Sequence, residues 1–518
     1  MRKHAIRRLL AGLGAMGVFV AASAAPAPAA PASPDAPADV AAAAGFDMFA
    51  NNITLAPGGP GKTVVLRLSG ETPPGRYAAT VDFGAVDAFA EVGTPGGGSC
   101  TREGTILTCT AFGEDAPALL VLSIRPRADA ALGREGRLRF TVTIPGVGTR
   151  TYDSTVLIGE GVDLVAGPAV KLSGRPGATV PAALSVGNRG QETVQGAVLL
   201  VLGAYGLTPS RRYQNCRYSS VGGPVHFTPN LFACTFDDAI EPGRTFRVGG
   251  GFGVTVPGDA WAPNTQTGTA TWLTPQDWAD VRHEYTLDQQ GTGGVLRLEP
   301  AGKLRAGTSR AAQTDVRQAD NETAIELAVT GEQRADLAAD EVRVTGKVGA
   351  TVPVKIGYTN RGPASSGNGG SGGGANIRLT VPKGVTAVKA PDNCTDADAQ
   401  QPEEYGQPGA RAYECYQYGI LHKGERVALP FSFRIDRAGT LTGKVELQHS
   451  SGGKDLDPRN DTAKVLVNPG SGGQGGGDGS LPITGSPTGL VAAVGGLLLV
   501  AGVGSYLVAR RRRARFVA

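Results

Sequence analysis

Gly177-Ala178-Thr179-Val180-Pro181 and Asn188-Arg189-Gly190 return as Gly349-Ala350-Thr351-Val352-Pro353 and Asn360-Arg361-Gly362 at one fixed offset of 172 residues. That repeat limits the fold to something that can be built twice. Between the two blocks Val180, Ala182, Leu184 and Val186 align with Val352, Val354, Ile356 and Tyr358, apolar at every second position. Period two describes a half-buried strand. Each copy opens alike, at Val162-Asp163-Leu164 and Ala335-Asp336-Leu337, and closes on Asn321-Glu322-Thr323-Ala324 or Asn460-Asp461-Thr462-Ala463.

A more diverged copy precedes these two. Its Val64, Leu66 and Leu68 supply the alternating strand. Six cysteines fall as three sequence-local pairs, Cys100 with Cys109, Cys216 with Cys234 and Cys394 with Cys415, enclosing 8, 17 and 20 residues. Eight residues after the second cysteine of each pair come Pro117, Pro242 and Lys423, and an apolar strand follows each. Six cysteines permit about 15 connectivities, with local pairing favoured if each pair belongs to its own domain. Metal ligation is the alternative, but no pair has C-x-x-C spacing.

Many short strands between Gly, Pro and Asn turns, with 77 glycines and little helical periodicity, predict an all-β chain of tandem sandwiches. The entering Asp-Leu, the Asn-x-Gly turn and the closing Asn-x-Thr-Ala resemble the immunoglobulin-like repeats of bacterial surface proteins, in particular the cell-adhesion-related bacterial domain. The expected sandwiches are residues 45–160, residues 161–330 with an insertion, and residues 331–467.

The ends carry a second resemblance. Leu481-Pro482-Ile483-Thr484-Gly485 precedes an apolar span at residues 489–508 and a basic tail at 509–518 containing Arg510, Arg511, Arg512, Arg513 and Arg515. Some twenty apolar residues can cross a hydrocarbon core, and the arginines hold the tail on the cytoplasmic side. This order resembles the LPxTG wall-sorting signal of Gram-positive surface proteins. The resemblance implies that a sortase attacks the Thr484 carbonyl, expels Gly485 and passes the chain to peptidoglycan, after membrane insertion through the apolar span. At the other end, residues 1–24 read as a signal peptide with Arg2, Lys3, Arg7 and Arg8, a short apolar run and cleavage after Ala22-Ser23-Ala24. An Ala/Pro-rich leader (25–44) and a Gly-rich linker (468–480) read as unpacked tethers. The expected location is the extracellular face of the cell wall. Composition heavy in Ala, Gly, Arg and Pro fits an actinobacterial source.

Residues 1–24 and 486–518 supply nine basic side chains and no acid, so the formal net charge of +4 becomes −5 for the part between. A mildly acidic exported region gives no support for nucleic-acid binding. No catalytic motif is present, so the chain reads as a non-enzyme without cofactor or metal. An internal thioester between Cys415 and Gln417 would leave Cys394 unpaired. The remaining candidates are Trp261, Trp272 and Trp278, all the tryptophans of the chain, which either stack on a ligand or fill a core. Asp392, Asp396, Asp398, Glu403 and Glu404 crowd the third cysteine loop without EF-hand spacing, as a solvated hairpin would. His226, His283, His422 and His449 are scattered, and His449 has no partner visible in sequence. Three functions follow: an adhesin holding a polysaccharide or protein ligand, a structural stalk with none, and last an exported enzyme, for which the sequence offers only the unassigned segment 272–319.

Overall fold

The computed structural model describes residues 46–69, 76–94, 100–112, 120–220, 230–249, 251–299, 311–367, 374–399, 405–417, 419–449 and 455–468. The expected signal peptide with Ala22 and Ala24, the leader, the linker beyond Asn468, the sorting peptide Leu481 to Gly485, the apolar span and the basic tail lie outside them. Among the described residues, no helix is long and apolar enough to cross a membrane.

The fold is nearly all β. Ten strands build the first sandwich: β1 (Asp47–Ala50), β2 (Ile53–Leu55), β3 (Lys62–Ser69), β4 (Arg76–Asp82), β5 (Ala90–Gly93), β6 (Cys100–Glu103), β7 (Ile106–Phe112), β8 (Leu120–Pro126), β9 (Glu135–Ile144) and β10 (Gly148–Ile158). One sheet has the order β1-β3-β8-β5 and the other β2-β10-β9-β4-β7-β6. In β9, Leu138, Phe140, Val142 and Ile144 point inward while Glu135, Arg137 and Arg139 face water. That alternation packs one face of each sheet on a shared core.

The same order recurs in the third sandwich. Leu337–Ala339, Thr351–Asn360, Arg426–Ile435 and Val385–Lys389 form its smaller sheet; Val342–Val344, Thr462–Val467, Leu441–His449, Ala375–Thr380, Ala412–Cys415 and Cys394–Asp396 form the larger. The first sandwich matches it strand for strand although it lacks the Asn-Arg-Gly turn. A short antiparallel pair, Ser366–Gly367 with Ile420–Leu421, follows the Asn-Arg-Gly turn of the third sandwich.

The second sandwich keeps the larger sheet, in the order Val170–Gly174, Glu322–Gln333, Ala262–Leu273, Val194–Gly203, Asn230–Ile240, Cys216–Tyr218 and Gln289–Gln290. Its other layer is split in two. The strand expected over residues 180–186 is interrupted between Thr179–Pro181 and Ser185–Asn188, whereas Thr351–Asn360 is continuous. Ala182 and Leu184 stay buried through the break, so the period-two pattern holds for burial even where the pairing does not.

The repeated Asn-Arg-Gly is a structural hub. Asn188 donates from Nδ2 to the carbonyls of Glu192 and Ile240 and accepts the Gly190 amide; Asn360 donates to Ala364 and Leu421 and accepts Gly362. Both side chains are buried. Three backbone segments that would otherwise carry orphaned polar groups are joined by one amide.

By compactness the chain forms two units. One holds the first two sandwiches up to Pro257 together with Thr265–Val329; the other holds Gly258–Asn264 and the chain from Thr330 onward. In the second unit the strap Gly258–Asn264 is bound by Gln333, whose Nε2 donates to the Gly258 and Ala260 carbonyls, and by Ser365, whose amide donates to the Asp259 carbonyl.

Candidate functional site

All six cysteines are paired locally, as Cys100–Cys109, Cys216–Cys234 and Cys394–Cys415. Each bond joins residues directly opposite on neighbouring strands, at the same place in each sandwich. Cα separations of 4.1, 3.9 and 4.0 Å match the closer of the two antiparallel pair spacings. With Cys415 bonded to Cys394, the thioester is excluded.

The tryptophans separate into two roles. Trp272, 0% exposed, lies in the second sandwich against Phe236, with ring centroids 5.7 Å apart. Trp261, 6% exposed, belongs to the core of the second unit, carried there on the strap. Neither can meet a ligand. Trp278 is different because it lies on helix α1 (Pro275–Val281), in the insertion that sequence reading left unassigned.

That insertion explains an apolar run that does not alternate. In Val194–Gly203 both faces are buried, since Val198 and Leu200 on the outer side pack with Leu231 and Ala233 beneath Trp278, Tyr285 and Leu287. Trp278 stacks on Tyr285 with centroids 5.8 Å apart and planes 26° apart. The half-buried indole borders a cleft of about 200 Å³ rimmed by Gln214, Asn215, Arg217 and Gln290. An aromatic face beside amide and guanidinium groups suits a polar ligand with a flat apolar side.

Helix α1 also builds a buried ionic joint inside the first unit. Thr274 caps it by accepting the Asp277 amide at 3.0 Å, and Pro275 occupies its first turn. Asp277 Oδ1 then meets Lys62 Nζ of β3 at 2.6 Å, with side-chain exposures of 3% and 10%. Lys62 also donates to Thr314 Oγ1 at 2.5 Å, and the Asp315 amide donates to Asp277 Oδ2 at 2.8 Å. The Asn52 amide donates to the Asp280 carbonyl, Arg67 pairs with Glu284 at 3.1 Å, and Phe49 meets His283 edge-on at 4.2 Å. Burial pushes Asp280 up to about 6; Thr54 and Gln276 oppose the shift and the charge of Asp277 adds to it. Asp315 also rises to about 6 through burial, despite amides donated by Arg317 and Leu164. Burial likewise raises Glu284 and lowers His283. The joint welds two sandwiches into one body, and a cleft of about 270 Å³ lined by Lys62, Arg67, Asp277, Asp280 and Glu284 opens beside it.

Asp315 has a counterpart that sequence reading missed. Asp315 accepts the Leu164 and Arg317 amides; Asp455 accepts those of Leu337 and Asp457. Downstream, Trp272 N donates to the Asn321 carbonyl, and Leu447 N to that of Asp461, both at 2.9 Å. Asn321 therefore occupies the place of Asp461, one residue beyond the alignment that the letters suggest. The pairing of Ile325 with Val170 and of Val465 with Val342 agrees with this register. Aligning Asn321 with Asn460 hid the shared aspartate. His449, without a visible partner in sequence, has its Nε2 2.8 Å from Asp461 Oδ1 and lies close to Asp455. His422 Nδ1 lies 2.8 Å from Asp259 Oδ2 on the strap. In the acidic loop Asp398 pairs with Arg378 and accounts for one charge, while Glu403 and Glu404 lie outside the described residues.

Strand order and repeated cross-strand disulfides define a chain of tandem immunoglobulin-like β-sandwiches. No protein-family model matches the sequence, and no curated protein does. Among solved structures, it is similar to an I-band fragment of titin at 11% identity and a TM-score of 0.13, covering 82% of this chain and 96% of that one. Dpr2 Ig1-Ig2 in complex with DIP-Theta Ig1-Ig3 gives 7% identity and 0.21, covering 82% and 99%. Trypsin-activated alpha-2-macroglobulin from Escherichia coli gives 12% and 0.16; 82% of this chain is covered but only 23% of that one. The fold assignment rests on the strand orders, not on these likenesses.

Proposed function

We propose that this is a non-enzymatic surface protein, exported, linked to peptidoglycan by a sortase, and displaying its sandwiches for adhesion to a polysaccharide or protein ligand. The observation that carries the anchoring is the order of sorting peptide, apolar span and basic tail from Leu481 to Arg515. Three disulfides support exposure to an oxidising compartment. For ligand binding the support is Trp278, the one tryptophan outside a core, at a polar-rimmed cleft.

Anchoring is tested by Thr484→Ala in cells. The variant should leave the peptidoglycan-linked fraction for the membrane or the medium, and retention in that fraction would remove sortase attachment from the reading. Binding is tested by fluorescence titration of the full chain with wall glycans, extracellular polysaccharides and matrix proteins. A saturable change that disappears in Trp278→Phe supports the adhesin. The buried Lys62–Asp277 joint favours a second reading, a rigid stalk, and flat titration curves would select it.

A further inference from the structure

We infer that the third sandwich carries a site for one divalent transition-metal cation of the zinc type, held by His449 Nε2 and by carboxylate oxygens of Asp455 and Asp461. The three groups come from separate places. His449 ends the strand Leu441–His449, Asp461 immediately precedes Thr462–Val467, and Asp455 is fixed against the entering strand by the Leu337 amide at 2.7 Å. One ligand atom from each lies within 4.8 Å of the other two.

A tetrahedral ion with bonds of about 2.0–2.2 Å sets its donors roughly 3.4 Å apart, so small side-chain rotations close the set. Asp455 Oδ1 and Oδ2 each accept one backbone amide, from Leu337 and Asp457, and each oxygen keeps a further acceptor position. These amides orient the carboxylate as outer-shell donors orient a ligand. Coordination through Nε2 needs the imidazole tautomer protonated on Nδ1. One imidazole with two carboxylates suits zinc or manganese better than calcium.

Comparison with the second sandwich supplies an independent reason. By the shared hydrogen bonds and register, Thr274 stands where His449 stands and Asn321 where Asp461 stands, while Asp315 and Asp455 coincide. At this end of the second sandwich the cation is an ammonium group, Lys62 Nζ, on Asp277 and Thr314. In the third, both non-ligating residues are replaced by metal-ligating types. Among the described residues no lysine or arginine pairs with Asp455 or Asp461. Next in the chain, Asn460 Oδ1 is buried without a hydrogen-bond partner.

The test is calorimetric titration of the purified full chain with zinc chloride, manganese chloride and calcium chloride, read beside thermal unfolding. One equivalent of zinc should bind, and binding should weaken on the order of 100-fold in His449→Ala and in Asp461→Asn, with His283→Ala unchanged. If His449→Ala does not fold, His449→Gln replaces it. X-ray absorption of the zinc-loaded wild type should then show one nitrogen-ring ligand among oxygens. Absence of one-equivalent binding, affinity unchanged in both site variants, or calcium bound more tightly than zinc would overturn the proposal.

Discussion

Single side chains carry much of the repeat. Asn360 joins two carbonyls and one amide, from Ala364, Leu421 and Gly362, in a buried place. Removing it in Asn360→Ala should destabilise the second unit by on the order of 3 kcal/mol, because each buried group left unpaired costs roughly 1–3 kcal/mol. Asn360→Asp should not rescue, since a carboxylate would face two carbonyl oxygens without a donor. Urea unfolding of both variants checks this, and an undiminished midpoint in either would contradict the hub. The turn itself was legible, because Asn-x-Gly is a turn signal wherever it occurs. What the amide binds was not legible, since Leu421 lies 61 residues away.

At the level of one element, helix α1 shows how local rules and distant partners divide the information. Thr274, Pro275 and Asp277 form a legible helix start. Lys62 and Thr314, which decide what the helix docks on, are distant in sequence and carry no spacing signal. Removing the lysine in Lys62→Met should cost about 3–5 kcal/mol by stranding a buried carboxylate. Calorimetry should then show the first unit's transition lowered or divided.

The same joint sets a pH dependence. Asp280 and Asp315 titrate near 6 in the folded chain, against an ordinary value of 3.8. Between about pH 4 and 6 the folded state holds protons that the unfolded state has released, so this contribution to stability is greatest near pH 4 and falls as pH rises to 6. With each tenfold change in proton affinity equivalent to about 1.4 kcal/mol, each carboxyl accounts for roughly 3 kcal/mol. Asp280→Asn should flatten the decline relative to wild type in urea midpoints measured from pH 4 to 7. An unchanged slope would show that the carboxyl is not the titrating group.

Across the whole molecule, three repeats fold into two compact units. Heating should therefore give two calorimetric transitions, and a third would mean that the Lys62 joint does not couple the first two sandwiches. Two of the three repeats could be read from the blocks at Gly177 and Gly349, and the first from its alternating strand and its cysteine pair, because a repeat is written in the letters themselves. Unit membership could not, since it depends on Asp277 reaching β3 and on Trp261 joining a core that otherwise begins at Ala335.

Each sandwich closes by pairing an early strand in parallel with its last: Ile53–Leu55 with Val156–Ile158, Val170–Gly174 with Ile325–Val329, and Val342–Val344 with Val465–Val467. When the two chain ends are pulled apart, parallel neighbours slide past one another and the bonds between them are loaded together in shear rather than peeled in turn. Forced unfolding is governed by the unfolding rate, so resistance of this kind lengthens survival under tension without requiring greater equilibrium stability. Under tension applied across all three sandwiches, these three short pairings would set the load at which the weakest of them yields.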